Sequence, residues 1–369
     1  MFGVYIKKHY CYNIYITRNH MADQIDYKLL AKTPQELRAK FRPESINIDG
    51  IEILAGRGNL RLSREIARLL GKELNEPIEV FADGEKKLKK SHANLRRKGV
   101  FLLQSMQPHP DERLMEMYLM IDAARRASAS DIAAVLFYPA YMRQDWKDQS
   151  RVPISATIPP RIFEFLGLNR MLSMELHSGA QQGFFDGPWD LVESNFVTVS
   201  EVLSRKLKDP IVAAPDAGGR KRAKQYSRNL GLGDNVVQAI KDRDVTKRNF
   251  AKAAEFQGMV RGKDIIIVED IIDTAGTIIQ VAKMFQTEKP RSIRVIAPYG
   301  IFSTDKNGVS AIKKIEDSPI DEVITTNAID PKSDAKRSKK ITYVDIAPMI
   351  AEAILCIHTG ESISERLIL

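Results

Sequence analysis

From Ile51 onward the chain alternates short apolar, β-branched runs with longer stretches whose apolar residues recur at helical spacing. Eleven runs read as strands: IEILAG from Ile51, IEVFAD from Ile78, GVFLLQS from Gly99, IAAVLFYP from Ile132, MLSMEL from Met171, PIVAAPD from Pro210, NVVQAI from Asn235, DIIIVED from Asp264, IRVIAPYG from Ile293, DEVITTNAI from Asp321 and ITYVDI from Ile341. Several are apolar at successive positions, as strands covered on both faces are. Between them, NLRLSREIARLLGKEL from Asn59 and ERLMEMYLMIDAARRA from Glu112 carry helical periodicity with terminal capping residues. Alternation of strand and helix predicts parallel sheets. Eleven strands are too many for one small doubly wound sheet, so two α/β domains are expected, over residues 51–200 and 201–369 with the boundary between Val197 and Lys208.

The last apolar stretch, IAPMIAEAILCIHTGESI, reads as an amphipathic helix closed by Gly360 that could pack on either domain. Residues 1–50 precede the alternation and read as an N-terminal extension. Within it, MADQIDYKLL has the character of an ordinary polar N-terminus, so Met21 is the expected start.

Charge changes this picture little. The 56 basic and 47 acidic residues give a net charge of +9, which suits small polyanionic metabolites as well as nucleic acid. Basic clusters such as EKKLKK and NLRRKG are interrupted by acids or apolar residues and read as solvated faces, so no nucleic acid is expected. The two cysteines, Cys11 and Cys356, lie far apart without metal-site spacing, which fits a reducing, cytoplasmic setting. No run approaches the roughly 18 apolar residues of a membrane span, so no membrane association is expected.

The sharpest chemical signal is IIIVEDIIDTAGTII, Ile265 to Ile279, a buried strand that enters a polar loop and then a helix. Backbone amides and hydroxyls of Thr274, Ala275, Gly276 and Thr277 can wrap a phosphate, while Glu269, Asp270 and Asp273 can bind sugar hydroxyls or a cation. Further candidates sit after other strands. FADGE offers the Phe81 ring as a face for a base and Asp83 and Glu85 as acceptors around Gly84. Arg143, Gln144 and Asp145 follow IAAVLFYP, and an Arg there can stack on adenine and neutralise phosphate. His177 closes MELH, and Asp216 precedes a Gly218-Gly219 pair in PDAGG.

VEDIIDTAGT resembles the phosphoribosyl diphosphate (PRPP) motif of type I phosphoribosyltransferases and PRPP synthases, and the other segments select the PRPP synthase (ribose-phosphate diphosphokinase) family. FADGE is similar to that family's F-S-D-G-E adenine motif with Ala82 for Ser, and YMRQDWK to its Y-A-R-Q-D-R-K segment with Trp146 for a basic residue. The resemblance covers Ile51 to Leu369 and implies an α/β chain of two tandem phosphoribosyltransferase-like domains, each a mainly parallel sheet flanked by helices. It further implies ATP at Phe81, Asp83, Gly84, Glu85, Arg143, Gln144 and Asp145, and ribose 5-phosphate at residues 269–270 and 273–277. Mg²⁺ is implied at His177 and Asp216, and a homo-oligomer, hexameric by the family's habit, in which a neighbouring subunit completes the adenine site.

The family's mobile catalytic loop carries K-x-R, which Lys241 and Arg243 reproduce if about two residues are inserted before Asn249. Without that insertion Arg243 faces the family's lysine and Val245 its arginine. The family's regulatory site uses an Asn where Leu191 follows Asp190. The implied reaction is diphosphoryl transfer from Mg-ATP to ribose 5-phosphate. The alternatives are a synthase-associated regulatory subunit with weak or no turnover, and a phosphoribosyltransferase, which needs no ATP site.

Overall fold

The computed structural model describes residues 35–36, 48–90, 93–240 and 255–367. The expected extension over residues 1–50 falls almost wholly outside them. The first part of the chain runs β1 (Ile51–Ala55), α1 (Leu60–Leu69), β2 (Leu74–Asn75), β3 (Ile78–Val80), β4 (Lys86–Leu88), β5 (Gly99–Ser105), α2 (Pro110–Arg126), β6 (Asp131–Tyr138), α3 (Ile158–Leu166), β7 (Arg170–Ser173), β8 (Trp189–Leu191) and α4 (Asn195–Ser204). Six of its strands form one parallel sheet in the order β2-β1-β5-β6-β7-β8. Seven of its β6 residues, Ile132 to Tyr138, are buried, which is why that run lacks polar alternation.

The second part runs β9 (Pro210–Ala214), α5 (Arg220–Asn229), β10 (Val236–Ile240), β11 (Glu255–Gln257), β12 (Asp264–Val268), β13 (Ile271–Ile272), α6 (Gly276–Gln286), β14 (Ser292–Ile296), β15 (Tyr299–Gly300), α7 (Ala311–Glu316), β16 (Glu322–Thr326), α8 (Ser333–Arg337), β17 (Ile341–Val344), α9 (Ala347–Thr359) and α10 (Ile363–Leu367). Its sheet has the order β11-β10-β9-β12-β14-β16-β17, parallel except for the β10–β11 pair. The connections leave β9 to one side and reach β12 on the other, so the loops after these two strands flank the point where strand order reverses. That is where open α/β sheets bind ligands.

The expected parallel α/β character and the two sheets are both present. One strand reading is corrected. IEVFAD does not extend a parallel sheet: β3 stops at Val80 and pairs antiparallel with β4 in a separate hairpin. Phe81 accepts from Gly84 and donates to Glu85, and Gly84 takes φ of 92° at the tip, a conformation that favours glycine. Apolar periodicity cannot tell a protruding hairpin from a core strand. The short edge strands β2, β8 and β11 carry too few residues to show a period, and the sequence does not reveal them.

The two halves are sewn together at the ends of the chain. Helix α9 packs against α1, and Ile66, Leu70, Ile350 and Ile354 belong to one continuous core. Asn59 serves two purposes there: its Oδ1 accepts from Leu62 N at 3.2 Å to cap α1, while its Nδ2 donates to the carbonyls of Asn327 (2.8 Å) and Ala328 (3.2 Å). Asn59→Ala should therefore lower unfolding free energy by about 1–3 kcal/mol in chemical denaturation. Asn59→Asp keeps the cap but points a carboxylate at two carbonyls, so it should be no better than Ala; wild-type stability in Asp would show that the bridge contributes nothing.

Candidate active site

Strand β12 is buried along its whole length and delivers a polar loop into the cleft between the sheets. Ala275 turns that loop into α6 with φ of 61°, and the first amides of a helix lack intrahelical acceptors. Residues 273–277 line a cavity of about 240 Å³ together with Arg143, His177, Glu269 and Asp270. Arg143, which follows β6 of the other sheet, donates through Nη1 to Asp273 Oδ2 at 2.8 Å. Burial alone would raise the Asp273 carboxyl, but bonds from Ser303 and Arg143 outweigh it and hold it below its ordinary value.

His177 lies four residues beyond the end of β7 and reaches the same loop from the opposite wall: its Nδ1 stands 2.5 Å from Asp270 Oδ2. Arg222 of α5 approaches Asp270 at 3.5 Å and Glu269 at 4.0 Å. The His177 hydrogen bond and the Arg222 charge divide the two neighbouring acids. Burial and the adjacent Asp270 charge push the Glu269 carboxyl up. Asp270, although buried, is driven down by the His177 bond and by Arg222. Two carboxyls side by side rarely both ionise, and here the His177 bond and the Arg222 charge favour ionisation of Asp270.

On the other side of His177 lies a cavity of about 740 Å³, lined by Asp216, Gly218, Gly219, Arg222, Glu269 and Asp270. Asp216 Oδ1 accepts from Gly219 N at 3.0 Å. His177 thus borders both the loop cavity and the Asp216 cavity. Among the described residues, no group of three or more His, Cys, Asp or Glu side chains could hold a metal ion by itself. The donor set nevertheless fits a hard cation that brings other ligands with it: carboxylates at Asp216 and Asp270, and a His177 ring whose Nδ1 is committed to Asp270, which leaves Nε2 as its other nitrogen.

Tyr299 fixes how the two walls meet. Its hydroxyl donates to Glu175 O at 3.1 Å and accepts from Glu175 N at 3.0 Å, two residues before His177. Its own amide donates to Asp270 O at 3.2 Å, and its ring packs edge-on to Tyr138 at 4.8 Å.

The other sequence candidates are distributed unevenly. Gln144 is engaged locally, accepting from Ser155 Oγ at 2.6 Å and from Ala156 N at 3.1 Å through its carbonyl. Asp145 accepts from Gln181 Nε2 at 3.2 Å, and Trp146 is exposed. Phe81, Asp83, Gly84 and Glu85 stand at the exposed hairpin tip, and among the described residues no hydrogen bond or ion pair joins them to Arg143, His177 or residues 269–277. Lys241 and Arg243 lie outside the described residues. Arg222, Tyr299 and Ser303 were not candidates from sequence. Arg222 sits in GGRKRAKQY, which looks like any basic helix face, and Tyr299 in an ordinary apolar run.

Comparison with known proteins adds a separate line of information. Residues 51–167 match a family model described as the N-terminal domain of ribose phosphate pyrophosphokinase, and residues 247–367 match a phosphoribosyl synthetase-associated domain. The chain is 37% identical over 328 residues to a ribose-phosphate pyrophosphokinase of Aquifex aeolicus, covering 86% of this chain and 99% of the relative. It is 34% identical over 325 residues to one of Helicobacter pylori, covering 88% and 98%. The crystal structure of a phosphoribosylpyrophosphate synthetase from Mycobacterium smegmatis superposes with a TM-score of 0.77 at 30% identity, over 85% of this chain and all of the other.

The His177–Asp270 contact makes a pH prediction. The Asp270 bond, opposed by burial, raises the His177 pKa above its ordinary value of 6.5. A raised histidine contributes stability that is complete below the unfolded value and is lost as pH rises through the folded one. Asp270 is depressed, so its contribution holds above 3.8 and disappears as pH falls through its folded value. A ring-proton NMR titration should place the His177 midpoint above 6.5 in wild type and move it back toward 6.5 in Asp270→Asn. An unchanged midpoint in the variant would mean that the carboxylate does not hold the proton.

Proposed function

The chain belongs to the ribose-phosphate pyrophosphokinase family, and from that membership we infer that it transfers the β,γ-diphosphoryl group of ATP to the anomeric hydroxyl of ribose 5-phosphate, giving PRPP and AMP. The observation that carries the reading of the site is the position of His177, which borders the 273–277 loop on one side and the Asp216 cavity on the other. A reaction between a sugar phosphate and a nucleotide needs two such compartments meeting at one wall.

In this reading the amides and hydroxyls of residues 274–277 take the 5-phosphate at the start of α6. Glu269, raised toward its neutral form, can donate to one ribose hydroxyl, while the ionised Asp270 accepts from another. Arg143 faces the sugar loop from the nucleotide side and offers a permanent charge to phosphate or a planar face to adenine. Asp216 and His177 would hold Mg²⁺, with nucleotide oxygens and water filling its remaining positions. When bound, that ion supplies charge neutralisation for the ATP phosphates. Lys241 and Arg243 would supply mobile cations to the group in transfer.

The exposed Phe81 hairpin suits an adenine site completed between subunits, so we take the working form to be a homo-oligomer, hexameric as in the family, with domains over residues 51–200 and 201–369. No described helix is long and apolar enough to cross a membrane; a cytoplasmic location is proposed from the chemistry, since ATP and ribose 5-phosphate are cytoplasmic metabolites.

Purified protein given Mg-ATP and ribose 5-phosphate should release AMP and PRPP in equal amounts. Lys241→Ala and Arg243→Ala should each lower kcat by about 10²–10³-fold. Product from Lys241→Ala at the wild-type rate would assign the catalytic cation to Arg243 instead. A folded wild-type protein that makes no PRPP would overturn the enzymatic reading in favour of a regulatory subunit.

A further inference from the structure

Around the loop that we read as the phosphate site, and outside the residues that line its cavity, lies a second layer of polar contacts. The segment from Phe302 to α7 packs there, held by Lys332 Nζ donating to Phe302 O at 2.7 Å. Ser303 N donates to Asp273 O at 2.9 Å, and Ala311 N returns to Ser303 O at 3.1 Å. Within the segment Asp305 organises a tight turn: its Oδ1 accepts from Asn307 N and Val309 N, both at 2.9 Å, and Gly308 takes φ of 78°. Its Oδ2 pairs with Lys314 Nζ at 2.5 Å. Lys314 also donates to Thr274 O at 3.4 Å.

We propose that Lys314, oriented by Asp305, is a positioning residue for ribose 5-phosphate, acting through the Thr274–Ala275 peptide. The inference rests on the reading of residues 274–277 as the phosphate site. In a trans peptide the carbonyl and the following N–H point in opposite directions. Drawing the Thr274 carbonyl back toward α7 therefore turns the Ala275 N–H to the opposite side, that of the cavity lined by residues 273–278. That amide joins the unpaired amides at the start of α6 in a concavity suited to an anion. Ala275 needs such help, because its left-handed φ of 61° is unfavourable for a residue with a Cβ.

A bond of 3.4 Å is long and a weak source of stability, and its part in the proposal is to set the direction of one peptide. Charge adds to geometry, since the ammonium lies directly behind an anion site. The Lys314 and Asp305 side chains are 24% and 17% exposed, so the pair is shielded more than an ordinary surface pair whose effect water would erase. A purely structural ion pair would affect both substrates alike, whereas a peptide-positioning role acts on the sugar phosphate alone.

The test compares wild type, Lys314→Met, Lys314→Arg and Asp305→Asn, with thermal melts to exclude unfolded variants. KM for ribose 5-phosphate, KM for Mg-ATP and kcat are measured, together with ribose 5-phosphate binding by calorimetry in the absence of ATP. Lys314→Met should raise the ribose 5-phosphate KM and Kd by about 5–10-fold, the loss of roughly one hydrogen bond, with the Mg-ATP KM and kcat within about twofold. Lys314→Arg should recover most of the affinity, and Asp305→Asn should fall between. Ribose 5-phosphate binding within twofold of wild type in Lys314→Met, or a parallel loss for both substrates, would overturn the proposal. If wild type binds ribose 5-phosphate but makes no PRPP, the enzymatic reading fails while the binding series still decides the role of Lys314.

Discussion

The site depends first on a single buried hydroxyl. Tyr299 is fully buried, lies in β15, which pairs with β13 beside the second sheet, and makes both hydrogen bonds of its hydroxyl to the backbone of Glu175, just beyond β7 of the first. Its own N–H is bonded to Asp270 O, so the loop after β12 and the segment carrying His177 are spaced by one rigid side chain. A tyrosine with no water to fall back on must keep those partners, because an unpaired hydroxyl in that position is costly. Its ring edge against Tyr138 extends the same anchorage to the strand that precedes Arg143. Two walls from sheets built independently are thereby brought to hydrogen-bonding distance.

The electrostatics follow from that spacing. His177 can reach Asp270, and Arg143 can reach Asp273, only because the walls are held close. Burial, together with the Asp270 charge that His177 and Arg222 favour, pushes the Glu269 carboxyl up toward its neutral form, so the two neighbouring acids are driven in opposite directions. That pairing suits the hydroxyls of a sugar better than two charges would. The loop's backbone is held as well, with Ser303 N bonded to the carbonyl of Asp273 and Lys314 Nζ to that of Thr274. The position of the second sheet's loops at its strand-order reversal then accounts for why Asp216 shares a cavity with Glu269 and Asp270.

Much of this was legible in the chain. Continuous apolar runs such as IAAVLFYP and DIIIV betrayed buried parallel strands, and a polar loop between strand and helix at Glu269–Thr277 is chemically specific by itself. What sequence reasoning missed shares one cause: the meaning of the residue lies in its spatial partner. Arg222 looks like a solvated helix cation until α5 is seen beside Asp270, and Lys314 like one of two lysines in AIKKIE until its ammonium is seen behind Thr274. Tyr299 belongs by sequence to the apolar run IRVIAPYG, yet β14 ends at Ile296 and Tyr299 lies in the separate strand β15. FADGE does follow a strand, β3, but that strand belongs to a hairpin outside both large sheets, because local periodicity carries no information on which sheet a strand joins.

The central claim is that the two half-sites work only in the register that Tyr299 imposes. Removing its hydroxyl in Tyr299→Phe, and measuring kcat alongside the equilibrium binding of each substrate, tests it most directly. Each half-site keeps its own residues, so binding of ribose 5-phosphate and of Mg-ATP separately should stay within about threefold, while kcat falls by about 10-fold or more as the reacting groups lose alignment. A Tyr299→Phe protein that is less stable but turns over at the wild-type rate would contradict the claim and reduce the tyrosine to a packing residue.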